Sequence, residues 1–517
     1  MSASDPIPLE SPAQAPMGPA SVREYDVAVI GAGPAGLTAS YLLTKAGRRT
    51  LVLEADPTYL GGISRTVAHN GFRFDIGGHR FFSKSAEVVA LWNEILPEGM
   101  LERPRLSRVH YRGRLYSYPL RAFEALANLG LAESARCLFS FLYWRAFPDP
   151  DPVSFRAWVT NRFGARLFEI FFRSYTEKVW GLACEEISAD WAAQRIKGLD
   201  LWQALRDALA RSLGLGRTGP PAIKTLIESF HYPARGPGMM WEAAAARIAE
   251  AGGTIRQGAR VSALRHDIAT DRWTVLCRDQ AGCETLHHAR NVVSSAPLAE
   301  LVPAIEPRPI TAERARLLRY RDFLTVALIL DAPDLFPDNW IYIPDPAVKV
   351  GRIQNFRSWS PEMVPDPRLA CVGLEYFCFA GDGLWSMADA DLASLAAAEL
   401  EKLGLAPRSA VVDAVVVRQE KAYPVYDDRY REHVAAIRDE IERRFPTLHL
   451  VGRNGMHRYN NQDHAMMTAM LAVRNILAGE RRYDLWAVNE DAEYHEAGTS
   501  GQFAALNSER LVPLRIG

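Results

Sequence analysis

The chain has 517 residues, with 60 Lys and Arg against 61 Asp and Glu, so a formal net charge of -1 gives no basic excess for nucleic acid and no acidic tail. Hydrophobic residues make up 48% and charged residues 23%, a globular balance, and the length suffices for two or three domains with large cores. No run of ~18 apolar residues is present to span a bilayer, and no basic stretch followed by an apolar core opens the chain. The six cysteines are scattered without C-x-x-C spacing, which argues against a zinc ribbon or dithiol and fits a reducing cytoplasm, the expected location.

Residues 1–21, rich in proline and alanine, read as a disordered leader. The stretch 25–56 is a βαβ unit: a buried apolar strand at 27–30, Gly31, Gly33 and Gly36 in G-x-G-x-x-G spacing, a helix from about 35 to 46, and a second apolar strand at 50–53 ending in Glu54. Gly31 permits the tight turn, Gly33 lets backbone approach a pyrophosphate, and Gly36 lets helix pack on strand. The helix N-terminus offers unpaired N–H groups to the phosphates, and Glu54 can accept hydrogen bonds from a ribose. At this point both NAD and FAD fit.

Gly61 and Gly62 follow, a glycine pair suited to an anion, with Arg65 placed to meet a phosphate. In 71–84, an alternating strand runs into Gly77, Gly78 and His79. The glycines permit close approach of something flat, and His79 can then donate or accept at a ring nitrogen of that group. Residues 106–118 predict a hairpin turned at Arg112-Gly113. A mainly helical region follows, about 121–213. Its most hydrophobic stretch, 137–147 (CLFSFLYWRAF), is too short to span a membrane and is interrupted by Arg145; it reads as a core or domain-interface helix, with a membrane foot as the alternative. Within 173–181 (RSYTEKVWG), and at Trp191, Gln194 and Arg195, polar and aromatic residues mix as in a pocket lining.

A Pro/Gly break at 230–238 precedes a helix near Met239. Two short strands separated by a glycine turn lie in 252–264, with Val261 expected to touch the cofactor, and 291–296 is another buried strand. Several β-like runs between about 311 and 420 predict a mainly antiparallel sheet. Tyr423-Pro424 follows. A strand at 448–451 leads through Gly452 and Arg453 to Tyr459, Asn461 and Gln462, a loop that opens a helix and can add donors to the same cofactor. Residues 481–517 form a polar tail.

From about 25 to 479 the chain resembles the FAD-dependent UDP-galactopyranose mutases and, more loosely, the flavin amine oxidase and protoporphyrinogen oxidase superfamily. The resemblance rests on FDIGGHRFFSK, on SYTEKVWG followed by WAAQRI, on Tyr423-Pro424 and on YNNQDH, in that order. It implies an α/β fold: an FAD-binding Rossmann-like domain (22–100, 220–305 and 440–480), an inserted helical domain (121–215) and an antiparallel β-sheet substrate domain (101–120 and 306–439). The implied activity interconverts pyranose and furanose forms of a nucleotide sugar through N5 of reduced flavin, with NAD(P)H as a flavin reductant and no metal. By the resemblance His79 stands beside the flavin, Arg195, Tyr423 and Tyr459 hold the substrate diphosphate, and Arg453, Asn461 and Gln462 sit with the FAD. The sequence departs from the family in the strand LTVALILD, 324–331, where a second diphosphate arginine is expected and none occurs; Arg352 and Arg357 are the substitutes at hand. An FAD-dependent oxidase or desaturase acting on an apolar or amine substrate is the alternative.

Overall fold

A computed structural model describes residues 24–118, 122–189 and 228–488. The expected leader, Arg195 with its neighbours Trp191 and Gln194, and most of the tail lie outside the described residues.

The strands Glu24–Ile30 and Thr50–Leu53 lie side by side in parallel, joined by the helix Pro34–Lys45. Both strands are apolar and sheltered on both faces, as parallel strands are. Proline at the first helical turn and glycine after the last, at Gly47 with φ 75°, mark the helix ends. An eight-stranded mixed sheet grows around this pair. Glu284–Ser294 pairs with Glu24–Ile30 through its second half and with Arg272–Arg278 through its first. The two short strands expected in 252–264 part company: Thr254–Arg256 extends one edge beside Thr50–Leu53, and Arg260–Asp267 pairs with Arg272–Arg278 on the other side. Leu448–Leu450 joins late, parallel to Glu284–Ser294. It delivers the chain to the helix Gln462–Ala478, which is almost wholly buried.

The second sheet has seven strands. Tyr320–Leu330 and Ala370–Cys378 form its centre and every residue in both is buried. Both faces are covered, one of them by the helix Asp389–Lys402, so these strands are largely apolar on both faces, with Arg321, Asp322, Thr325 and Glu375 buried among them. The sheet is antiparallel with one exception. The hairpin Ser107–Tyr111/Arg114–Ser117 docks in parallel on Trp340–Tyr342, because 106–118 comes from far upstream rather than from a neighbouring turn.

A buried carboxylate sits where the two layers meet. Asp75, at the end of the strand Phe72–Asp75, is 0% exposed and accepts from Tyr232 Oη at 2.5 Å and Thr66 Oγ1 at 3.1 Å. Thr66 Oγ1 in turn accepts from the Gly238 amide at 3.0 Å. This network anchors the segment that continues as Ile76-Gly77-Gly78-His79. Burial without a counter-ion pushes Asp75 up to about 8, so the folded chain keeps it neutral at pH values where the unfolded chain ionises it. Its contribution to stability is therefore full below about pH 4 and is lost as pH rises to about 8, by at most about 1.4 kcal/mol per pH unit. Asp75→Asn is expected to flatten this dependence, so thermal unfolding of the holoenzyme at pH 5, 7 and 9 should show wild type losing ground to the variant as pH rises; parallel profiles would refute it.

The helix Leu131–Ala146 contains most of the hydrophobic stretch expected to be buried. Only Cys137 and Phe141 are buried along it, while Phe139, Leu142 and Tyr143 are exposed. The expectation fails here because an amphipathic period reveals an apolar face but not whether a neighbour covers it. No helix among the described residues is long and apolar enough to cross a membrane.

Candidate active site

Two cavities share one wall. The first, about 280 Å³, runs along the carboxyl ends of Glu24–Ile30 and Thr50–Leu53 and is bounded by Gly31, Gly33, Glu54, Gly62, Val261, Gly452, Arg453, Asn461 and Gln462. The second, about 150 Å³, is bounded by Gly77, Gly78, Arg105, Trp340, Tyr342, Arg352, Trp359, Tyr423 and Tyr459. His79, Arg453, Asn461 and Gln462 line both, so they stand where the cavities meet.

The first cavity is shaped by missing side chains. The Cα atoms of Gly33 and Gly62 approach so closely that a Cβ on Gly62 would lie 3.3 Å from Gly33 Cα. Gly31 has φ 92°, and a Cβ there would meet Ser295 Oγ at 2.5 Å. Gly36 and Gly61 serve packing behind the cavity: a Cβ on Gly36 would lie 1.9 Å from Gly31 O, and one on Gly61 2.8 Å from Trp241. Glu54 does two jobs. It faces the cavity, and its Oε2 accepts from the Ala32 amide at 2.6 Å, which fixes the turn between Gly31 and Gly33. Arg65 lines neither cavity: it donates to Gly62 O at 3.0 Å and Gln419 Oε1 at 2.5 Å, and burial lowers its pKa. Asn454 Oδ1 and Gln462 Oε1 are buried without a hydrogen-bond partner in the protein, and both residues line this cavity. Such orphaned acceptors call for a ligand with donors. Ser295 and Asn454 carry no motif, so the sequence reading missed them.

The second cavity gathers cations and phenols. Tyr423 and Tyr459 stack with ring centroids 5.5 Å apart and planes at 13°, and the Arg453 guanidinium lies 5.3 and 4.9 Å from their centroids. Burial, reinforced by Tyr459, pushes Tyr423 up to about 12, so its hydroxyl stays protonated and can donate at neutral pH. Trp180 packs on both tyrosines at 6.4 Å. Arg352 points into this cavity from the strand Arg352–Asn355, with Nε on Glu375 Oε2 at 2.5 Å. Glu375 is 0% exposed and also accepts from Gln354 Nε2 at 2.5 Å. Arg357, the other substitute, lies in the short helix Phe356–Trp359 that follows the strand, donates to Pro367 O and lines neither cavity. Of the two candidates, Arg352 is thus the one that lies on a strand and lines this cavity.

His79 keeps some surface inside the cavity, although protein surrounds it. Burial, with Arg453 next and Arg352 adding to it, depresses its pKa to about 3. Its Nδ1 lies 3.0 Å from Gly77 O. A carbonyl only accepts, so Nδ1 carries the proton and Nε2 is left as an acceptor.

The helix Ser174–Trp180 is held against this wall by two cations the sequence reading did not assign. Lys178 Nζ donates to the carbonyls of Ile343, Asp345 and Val350 at 2.6 to 3.1 Å, behind the cross-strand pair Tyr342 and Arg352. Arg321 donates to Lys178 O, Val179 O and Phe377 O. Among the described residues no cluster of three or more His, Cys, Asp or Glu is placed to hold a metal ion.

The model of the family described as flavin containing amine oxidoreductase matches residues 34–477. The chain belongs to this family. It is a flavoenzyme whose cofactor is FAD, and the glycine cradle, Glu54 and the orphaned acceptors of the first cavity suit that dinucleotide. Curated relatives match over short stretches only. All-trans-retinol 13,14-reductase of Homo sapiens is 52% identical over 57 residues, 11% of this chain and 9% of that protein. Putrescine oxidase of Kocuria rosea is 39% identical over 82 residues, 16% of this chain and 17% of that protein. Among solved structures, a reduced UDP-galactopyranose mutase superposes with a TM-score of 0.75 at 22% identity, covering 92% of this chain and 100% of that one. A putative protoporphyrinogen oxidase from Exiguobacterium sp. 255-15 gives 0.64 at 17% identity, with 88% and 99% covered. These likenesses establish the shared fold.

Proposed function

We propose that this flavoenzyme is a mutase acting on a nucleotide sugar, exchanging its pyranose and furanose forms. The observation that carries the reading is the convergence of Arg352, Arg453, Tyr423 and Tyr459 on one small cavity that adjoins the FAD cavity at His79. Guanidinium groups and phenolic donors suit a diphosphate, which must be held while it is detached from the sugar and returned. The same cations oppose a protonated amine, which disfavours amine oxidation by simple charge repulsion.

Reduced FAD, when bound, supplies a nucleophile for such an isomerisation with no net redox change, and NAD(P)H is the proposed reductant. The chain supplies the rest. Arg352 is held in one orientation by Glu375 and so presents its charge without first losing rotamer freedom. Tyr423 and Tyr459 add neutral donors, and their stacking under Arg453 fixes their direction. Neutral His79 offers an acceptor at Nε2 toward the shared wall and adds no positive charge there. Trp340, Trp359 and Tyr342 wall the cavity with aromatic surface, and Trp180 packs on its two tyrosines, which excludes water from a departing anion. Arg195, outside the described residues, keeps its proposed place as a further diphosphate ligand.

The reading is tested by reducing the holoenzyme with dithionite, adding UDP-galactofuranose and separating the products. UDP-galactopyranose is expected from reduced enzyme only. No conversion, together with bleaching of the oxidised flavin by an amine or apolar donor, would replace the mutase with an oxidoreductase.

A further inference from the structure

We propose that the outer face of the helix Leu131–Ala146 is a docking surface for an anionic lipid interface. The helix carries two apolar sides of unequal fate. Its inner side contributes Cys137 and Phe141 to a small core with Val109, Tyr116, Ile170 and Phe171. Its outer side places Leu131, Ala135, Leu138 and Leu142 at helical spacing, and beside them Phe139, Tyr143 and Phe147, all of them exposed. Leu131 is 93% exposed, Phe139 73%, Phe147 67% and Tyr143 58%, so the outer face is more apolar than the side that faces the protein. A contiguous exposed patch of this kind marks an interaction site, because leaving it in water is unfavourable.

Charge selects the occupant. Arg136, 70% exposed at its side chain, lies among Ala132, Phe139 and Tyr143, and the exposed Arg145 lies beside Leu138 and Leu142. Glu133 is the helix's one carboxylate, and it already meets Arg166 and Arg136. Asp149, past the end of the helix, is turned to the Asp151 amide. With Glu133 shared between Arg136 and Arg166, and Arg145 besides, the helix carries an excess of positive charge around its apolar stripe, and a second copy would bring the same excess. A phospholipid surface with anionic headgroups complements both parts: acyl boundary for Leu, Phe and Tyr, headgroups for the two arginines. At 16 residues and with charges at both ends, the helix lies in the interface and does not cross it. The small core beneath it also receives Tyr342, which lines the second cavity, so docking would hold that cavity one layer from the lipid.

The test is flotation of the FAD-loaded protein with phosphatidylcholine vesicles, with and without phosphatidylglycerol. Wild type is expected to float with the anionic vesicles and to be released by salt. R136Q/R145Q is expected to lower partitioning about thirtyfold, from roughly fivefold per arginine. F139D/Y143D is expected to abolish flotation with FAD content and melting temperature unchanged, since both side chains point away from the protein. Equal flotation of wild type and both variants, or none by wild type, overturns the proposal. A wild-type dimer in light scattering that F139D/Y143D converts to monomer assigns the face to a second copy instead. A variant that fails to float but also melts early assigns it to a cover within the chain. These readouts involve neither UDP nor turnover, so they stand apart from the mutase reading.

Discussion

Arg352→Met is expected to weaken UDP binding about 100-fold or more and to lower folding stability by about 3–5 kcal/mol. The two losses have different origins. Stability falls because Glu375, 0% exposed, is left as a buried carboxylate whose counter-ion is gone. Burial already raises Glu375 above the usual carboxylate range and Arg352 opposes that shift, so without the arginine the carboxyl moves further up and takes a proton. Binding falls because the guanidinium edge beside Gly77 is lost from the second cavity. The double variant Arg352→Met/Glu375→Gln separates them. Removing both charges should restore stability to within about 1 kcal/mol of wild type, because a buried pair is roughly neutral against an uncharged replacement. UDP affinity should stay low. Chemical denaturation of the holoenzyme and titration calorimetry with UDP check the two halves. Recovery of UDP affinity in the double variant would reduce Arg352 to a structural ion-pair partner.

Gly36→Ala is expected to prevent folding of the FAD-binding layer, whereas Gly33→Ala should fold and lose FAD. The chemistry of the change is identical, one added methyl, so the contrast isolates geometry. At Gly36 the new Cβ would lie 1.9 Å from Gly31 O, a backbone atom fixed by the turn, and 3.2 Å from Val29 Cγ1 in the central strand. Helix and strand would have to separate, a loss beyond the ~1–3 kcal/mol of ordinary overpacking. At Gly33 the nearest atom outside its own segment is Gly62 Cα at 4.0 Å, and the backbone is extended with φ -81° and ψ -174°, which alanine adopts freely. The methyl there is tolerated by the protein and intrudes on the cavity where the dinucleotide's phosphates approach backbone. Far-UV circular dichroism and the flavin-to-protein absorbance ratio after gel filtration report the two properties. A folded, flavin-loaded Gly36→Ala protein would show that the helix can move away from the strand.

The first cavity was largely legible in the sequence because its signals are local. Gly31, Gly33, Gly36 and Glu54 sit within one βαβ unit, where short-range geometry fixes which backbone atoms face a phosphate. The role of Gly62 is half legible: a glycine pair announces a turn, but its close approach to Gly33 appears only when the two turns are brought together. Arg65 shows where local signals end. An arginine after a glycine pair invites an anion, yet Gln419 and Asp56, supplied by distant or turned segments, engage it first. The second cavity was legible only through likeness to known enzymes. Nothing in the spacing of Tyr423 and Tyr459 predicts that their rings stack, and Arg352 and Arg357, five positions apart, look alike in sequence. One lies on a strand facing Glu375 and the other starts the next turn of chain toward Pro367.

By itself the sequence determined the βαβ anchor and its dinucleotide-type turn, since these follow from backbone requirements that glycine, apolar periodicity and one acid satisfy locally; the choice of FAD over NAD came from likeness to known enzymes. Tertiary structure decided which cation faces the second cavity, that Asp75 is buried without a counter-ion while Glu375 is buried against Arg352, and that the apolar helix 131–146 turns its richer face outward. Those outcomes depend on burial and on partners from remote segments. Neither electrostatic cost nor exposure exists for a residue until the chain has chosen its neighbours.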